Sequence, residues 1–387
     1  MPRALCLLLC FSSLAFAQVN RSSQASSPSS AVEVFYVVDV STLTTYNIDP
    51  QTFEPTAVGT TAMPRSKYPS IVMSPDGQFL YYLANVSVES QKLYVYDTDA
   101  MGVPGSTPVQ TTSPGHISNL LVNPAGTFLY SVAVGPPSQQ EITQFAIVRN
   151  VIDSTTGKLS RPATEATYQL DTQSSGNDCS LSIVGFNPAG TIMYDAILCN
   201  SPHASGSLTY NERSVDLQTG ALGPDQEIYG FGYYAGSGYA NVQIEGNVLF
   251  AFDSFDNQGP NANIVDVFQL PNVTAPAVNC TESMWALCGD FGHALAHPSG
   301  SYVFLEGSSS STDIGQVNLE AQQIVEVNSL PFGVQMFSPD GTIAYGTTSA
   351  FGEIHVAGFN IANAQVTPGG TISLTRIDDY WSAAERY

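Results

Sequence analysis

Residues 70–85 read SIVMSPDGQFLYYLAN: a short apolar run, a Ser74-Pro75-Asp76-Gly77 turn and a second run rich in aromatics. Proline fixes one turn dihedral and glycine supplies the flexible or positive-φ position, so the stretch reads as a β-hairpin. The flanking Val, Ile, Leu, Phe and Tyr suit buried strands. The unit then recurs, as NLLVNPAGTFLYSVAV at 119–134, SIVGFNPAGTIMYDAIL at 182–198, ALAHPSGSYVFLEG at 294–307 and VQMFSPDGTIAYGTT at 334–348. A degenerate copy, ANVQIEGNVLFAFDS at 240–254, turns on Glu245-Gly246-Asn247. Further strand-like runs follow each hairpin, such as LYVYD at 93–97 and IVDVF at 264–268. Successive turns lie roughly 40 to 65 residues apart, room for four strands, which is the spacing of a propeller blade.

Six hairpins start near residues 70, 117, 181, 240, 291 and 333. Segment 32–60 carries later strands of a blade without a leading hairpin, and TISLT at 371–375 is a spare strand. Pairing the two ends, through about residues 371–377, completes a seventh blade and removes an open edge. The expectation is an all-β fold: one seven-bladed β-propeller of four-stranded antiparallel blades over 32–387, closed by the N- and C-terminal strands. A β-sandwich would not repeat one turn at blade spacing.

Around this domain the N-terminus reads as a signal peptide over 1–17, with Arg3, an apolar run from Leu5 to Phe16 and an Ala15-Phe16-Ala17 cleavage site. That run is too short to span a bilayer, and no later stretch is long and apolar enough. Leu9 before Cys10 is too large for a lipobox. Residues 18–31 are Ser-rich and form a flexible leader. The chain is expected to be secreted or periplasmic.

Charged residues are only 11% of the 387, and 33 acids oppose 11 bases, a net charge of −22. Such a surface repels nucleic acid and anionic membranes. Cys6 and Cys10 leave with the signal, and Cys179, Cys199, Cys280 and Cys288 remain. An even count in a secreted chain points to disulfides, whereas no C-x-x-C spacing or clustered histidine supports zinc. Cys179 and Cys199 lie equally far from Ala189 at the centre of their hairpin turn, which makes them cross-strand neighbours. Cys280 and Cys288 form the second pair by elimination.

The pattern [I/V]-D-x-x-T-G-x-L occurs at 152–159 (IDSTTGKL) and 215–222 (VDLQTGAL), and loosely at 48–54 (IDPQTFE). With the Pro-Gly hairpins, it resembles the lactonase-family seven-bladed propellers, related to 6-phosphogluconolactonase and to muconate-cycloisomerising propellers. The resemblance covers nearly the whole mature chain and rests on turn and core formers. It implies a propeller and, as activity, lactone hydrolysis. Members often carry Pro-Arg-His before a blade's first strand. Here Gly292-His293-Ala294 keeps the histidine without the arginine, and the matching slots are Ser70, Asn119, Ile183 and Val334. Phosphate recognition relies on Arg or Lys, so this departure argues against a sugar-phosphate lactone.

Propellers bind ligands at a channel mouth, where connections between blades converge. Arg65, Lys67 and Tyr68 share one such segment and are candidates for holding an anionic group; solvated loop charges are the competing reading. His116 and His293 both follow glycine at a blade entrance, as a general base on an ester or lactone carbonyl would, or as partners of backbone groups. His297 fills a turn slot held elsewhere by Ser or Asn and reads as structural. Tyr233, Tyr234, Tyr239 and Trp285 offer an aromatic platform for a sugar or flat ligand, or anchor a loop. Asp253 and Asp256 lie near calcium-loop spacing without the full pattern. No elbow, zinc or phosphate-loop motif occurs, and no cofactor or metal is expected. The sequons at Asn20, Asn85, Asn272 and Asn279 are candidate glycan acceptors in a eukaryotic host; chance occurrence in a chain rich in Ser, Thr and Asn is the competing reading. The leading reading is a non-catalytic propeller binding a small molecule, a saccharide or another protein at the channel mouth. The alternative is a lactonase-like hydrolase; a redox-linked propeller lacks a haem motif.

Overall fold

The computed structural model describes residues 33–39, 41–66, 69–85, 91–135, 142–171, 178–200, 205–234, 238–255, 263–270, 276–281, 291–307, 311–348, 352–374 and 381–386. The signal peptide and leader assigned to 1–31 lie outside them. The described residues form seven four-stranded antiparallel sheets and no helix. Blades 2 to 7 begin with inner strands Ser70–Met73, Ile117–Val122, Asp178–Phe186, Gly238–Glu245, Phe291–Ala296 and Gly333–Phe337. Each blade then runs outward in chain order. Blade 1 takes its inner strand, Trp381–Arg386, from the C-terminus and its other three from Glu33–Asp39, Thr42–Ile48 and Pro55–Ala62.

Strand alternation explains how one blade packs on two neighbours. In Glu33–Asp39 the side chains of Val34, Tyr36 and Val38 join a cluster with Ile71, Leu80 and Tyr82 of blade 2. Phe35 and Val37 point the other way, onto Ile343, Tyr345 and Ile354 of blade 7. Period-two alternation of apolar residues on both faces thus makes a buried strand of a ring. Seven such clusters fill the seven blade junctions, including the 7–1 junction that closes the ring.

The two repeated motifs are junction hardware. In 152–159 the Asp153 carboxylate accepts the Thr155 and Thr156 N–H groups, each at 2.9 Å, and Ile152 pairs with Leu159. Gly157 has φ 66°, and a Cβ there would stand 2.3 Å from the Phe79 ring of blade 2, so only glycine fits. Tyr81 of blade 2 donates to the Gly157 carbonyl, and Tyr130 of blade 3 repeats this on Gly220 of blade 4 at 2.7 Å. The loose copy at 48–54 differs for a reason. Phe53 adopts φ 56° in the glycine slot, and its ring lies where any Cβ on Gly358 of blade 7 would stand.

One expectation needs correction. Closure does not run through 371–374, the described part of the segment at 371–377. Gln365–Ser373 is the outer strand of blade 7, with Thr371 opposite His355 and Ile372 buried in the 7–1 cluster. Trp381–Arg386 closes the ring instead, with Val37 opposite Ala383. Its WSAAER sequence has little β-propensity of its own, and the pairing comes from the partner strand.

Candidate functional site

The blade topology gives the channel two unlike ends. The Pro-Gly and Asp-Thr-Gly turns lie at one, the turn end. Inner strands begin at the other, the leading end, where second strands finish and blade-to-blade connections run. Inner strands of consecutive blades touch from blade 1 through blade 7. Their backbone N–H groups are not left bare. Gln243 of blade 5 accepts from Ala296 of blade 6 at 2.6 Å, and Thr312 Oγ1 accepts from Val334 at 3.1 Å. Asn119, at φ 60°, accepts from Ile183 of blade 4.

Strand position puts Arg65, His116, Tyr233, Tyr234 and His293 all at the leading end. They are spread around the ring rather than gathered. Arg65 is exposed in the blade 1–2 connection, and His116 is partly exposed before blade 3. Tyr233 and Tyr234 end the outer strand of blade 4. His293 is in the inner strand of blade 6, so two blades separate it from His116. The His116 carbonyl accepts from Val134 at 2.9 Å, and partial burial pushes its imidazole pKa down. Lys67, Tyr68, Trp285, Asp256 and Cys288 lie outside the described residues. The side chains of Tyr233, Tyr234, Tyr239, Asp253 and Cys280 also lie outside what is described.

One of these residues has ionisable company. His293 and Glu306 face each other across a bulge between the first two strands of blade 6, with Nδ1 3.9 Å from Oε2. Their side chains are 20% and 21% exposed, so the pair is half-withdrawn from water yet reachable. Burial pushes the imidazole down to about 4, against a backbone hydrogen bond to Val334, and pushes the carboxyl up. Gln335 of blade 7 donates to Glu306 Oε2 at 3.3 Å. The carboxylate lies over Gly333, where a Cβ would come within 2.2 Å of Oε1. His355 stacks on Phe332 beside it, centroids 5.4 Å apart.

Glu306 was missed at the level of sequence, although a signal was there. It sits nine residues after the turn-opening His297, a slot held by Leu83, Val132, Ala196 and Thr347 in other repeats. An acid in a slot otherwise held by uncharged residues marks either a site or a buried ion pair. Trp381 was missed too, because closure was assigned to the strand before it.

His297 is fully buried as expected of a structural residue, with its ring among Phe337, Phe359, Tyr302 and Phe304. Nε2 donates to the Gly341 carbonyl at 2.8 Å, and Nδ1 accepts the Ser299 N–H at 3.1 Å. Burial pushes its pKa down to about 4. The native state then binds fewer protons than the unfolded chain between pH 6.5 and about 4. Stability is therefore full above pH 6.5 and falls as pH drops through that window, by on the order of 3 kcal/mol. His293 adds to this slope, and Glu306, shifted upward, opposes it. His297→Asn, which keeps a turn-capping side chain used at Asn123 and Asn187, should lower stability at pH 7 but flatten this slope in urea titrations. An unchanged slope would exclude His297 as its source.

Cys179 and Cys199 are directly paired in blade 4, and their disulfide is formed. Among the described residues no group of His, Cys, Asp and Glu could hold a metal ion. Among the same residues, no helix is long and apolar enough to cross a membrane.

No family model matches the chain, and no curated protein matches it. Solved structures do. A Bacteroides fragilis protein provisionally assigned as a 6-phosphogluconolactonase superposes with TM-score 0.59 at 14% identity, covering 93% of this chain and 99% of that one. A Bacteroides uniformis protein with the same provisional assignment gives 0.58 at 13% identity, covering 89% and 97%. A functionally unknown protein from Desulfotomaculum acetoxidans gives 0.54 at 15% identity, covering 92% and 99%. At these identities the likeness is one of fold: the chain shares the propeller architecture of these structures.

Proposed function

We propose that the chain is an exported propeller that binds a small polar organic molecule, of the saccharide or lactone class, at the leading end of its channel. The observation that carries this is the His293–Glu306 pair, two partly exposed ionisable groups held against blade 7 where an inner strand begins. Pairs whose surroundings push both groups toward neutrality are a recurring mark of ligand and acid–base sites. The disulfide in blade 4 and the apolar N-terminal run support export. The described bases at this end are Arg65 and Lys92, both at blade 2, while Arg149 and Arg213 are held by Glu165 and Asp195. This distribution favours an unphosphorylated ligand at blade 6.

The same pair favours a second reading, opening of a cyclic ester. Neutral His293 would take a proton from water as its oxygen attacks the ring carbonyl. The ring C–O bond breaks, the alkoxide takes the proton, and a hydroxy acid leaves.

Intrinsic fluorescence tests the binding reading, since one of the two tryptophans, Trp381, opens the inner strand of blade 1. Monosaccharides, aldonic acids and their lactones are titrated in turn, with a pH-stat following acid release from the lactones. A ligand should be found whose affinity falls at least about tenfold, about 1.4 kcal/mol, in both His293→Gln and Glu306→Gln. Equal affinity in the two variants would remove this pair from the site.

A further inference from the structure

Asn279 opens the sequon Asn279-Cys280-Thr281 in the outer strand of blade 5, Val278–Thr281. We propose that Asn279 is an N-linked glycan acceptor whose sugar chain occupies the outer rim between blades 4 and 5. The proposal rests on the export reading above and adds a site to it.

Three structural observations separate this sequon from its sequence alone. Asn279 is exposed, at the rim of the molecule rather than in a junction. Alternation fixes the face it occupies: Val278 is buried against blade 6, so Asn279 is on the side toward blade 4. Asp266, directly opposite on the third strand, lies on that same face, between Val265 and Val267, which turn toward blade 6. The cluster at the 4–5 junction includes Leu249, Ala251 and Phe268 from the second and third strands. Asn279 stands one strand further out, where the wedge between blades opens.

The amide is also held in a form that tolerates the modification. Asn279 Nδ2 donates to Asp266 Oδ1 at 2.6 Å. Glycosylation breaks one Nδ2–H bond and forms a bond from Nδ2 to the anomeric carbon of a lipid-pyrophosphate-linked oligosaccharide. The proton is lost and the lipid pyrophosphate leaves. A secondary amide keeps one Nδ2 hydrogen, which remains as a donor for Asp266. The bulky, hydrated group sits on the outer strand, which pairs on its outer side with no strand among the described residues, and guards that edge against pairing with another chain. It stands far out along the blade from the inner strands, so both channel ends stay free.

The test is secretion of the full chain from yeast under two leaders, its own residues 1–17 and an established heterologous one. Secreted protein is treated with peptide N-glycosidase in heavy-oxygen water and mapped. Conversion of Asn279 to labelled Asp is expected, with loss of one glycan mass in both Asn279→Gln and Thr281→Ala. Thr281→Ala keeps the Asn279–Asp266 bond and so guards against misfolding of the first variant. An unmodified Asn279 peptide from protein secreted under the heterologous leader would overturn the proposal. Secretion under that leader but not under 1–17 would refute the export reading while leaving the acceptor result to stand on its own.

Discussion

Deleting residues 380–387 should abolish the cooperative native transition or lower Tm by on the order of 10 °C. The deletion removes the inner strand of blade 1, six residues paired along Val34–Asp39. At about 1 kcal/mol for each backbone hydrogen bond, several kcal/mol of direct pairing is lost. The indirect loss is larger. Phe35 and Val37 face blade 7, and Val34, Tyr36 and Val38 face blade 2, so both junctions flanking blade 1 lose an inner wall. The bare strand edge also invites aggregation. Thermal melts and size-exclusion profiles with and without a synthetic 380–387 peptide check this. Restoration by the peptide is expected. An unchanged Tm in the deletion would contradict closure by this strand.

The second large effect is expected at a buried ion pair. Asp195 has no exposed side-chain surface and accepts Arg213 Nε at 2.8 Å, Asn211 Nδ2 at 2.9 Å and the Tyr168 hydroxyl at 3.0 Å. Arg213 also donates to the Gly223 carbonyl and to Tyr168 of blade 3. The network therefore ties blade 3 to blade 4. Asp195→Leu leaves the buried Arg213 guanidinium to the exposed Asp225 carboxylate, 3.5 Å away, a weaker partner, so the loss should be about 3–5 kcal/mol. Replacing both, as Asp195→Leu with Arg213→Met, should recover most of that loss, because the desolvation penalty goes with the charges. Urea denaturation of the native chain, Asp195→Leu, Arg213→Met and the double variant forms a double-mutant cycle. Additive losses would mean that the pair does not act as a unit.

The fold was legible because each blade repeats a turn that only certain residues can make. Six hairpins announce six blades, and the disulfide followed from symmetry about Ala189 in one of those turns. The seventh blade was legible only as a need for closure. Its inner strand contains Ala383 and Ala384 and no proline-glycine turn, since its neighbour in the sheet comes from the other end of the chain. TISLT, with its better β-propensity, drew the assignment, although it is held by His355 and its neighbours in blade 7. The site was legible in part. His293 stood out as a histidine in a slot of Ser, Asn, Ile and Val. Its companions did not, because Glu306 comes from the next strand and Gln335 and Gly333 from the next blade, and such proximity is a product of ring packing. His116 was coupled to His293 by a shared Gly-His pattern, but blade order sets them apart.

Hydrogen exchange, read by mass spectrometry with the ligand selected by fluorescence, tests the functional account most directly. Ligand should protect peptides covering 291–307 and 333–337 at the leading end of blades 6 and 7, and Glu306→Gln should erase that protection. Protection confined to the turn end, over 74–77, 123–126 and 187–190, with 291–307 unchanged, would contradict it.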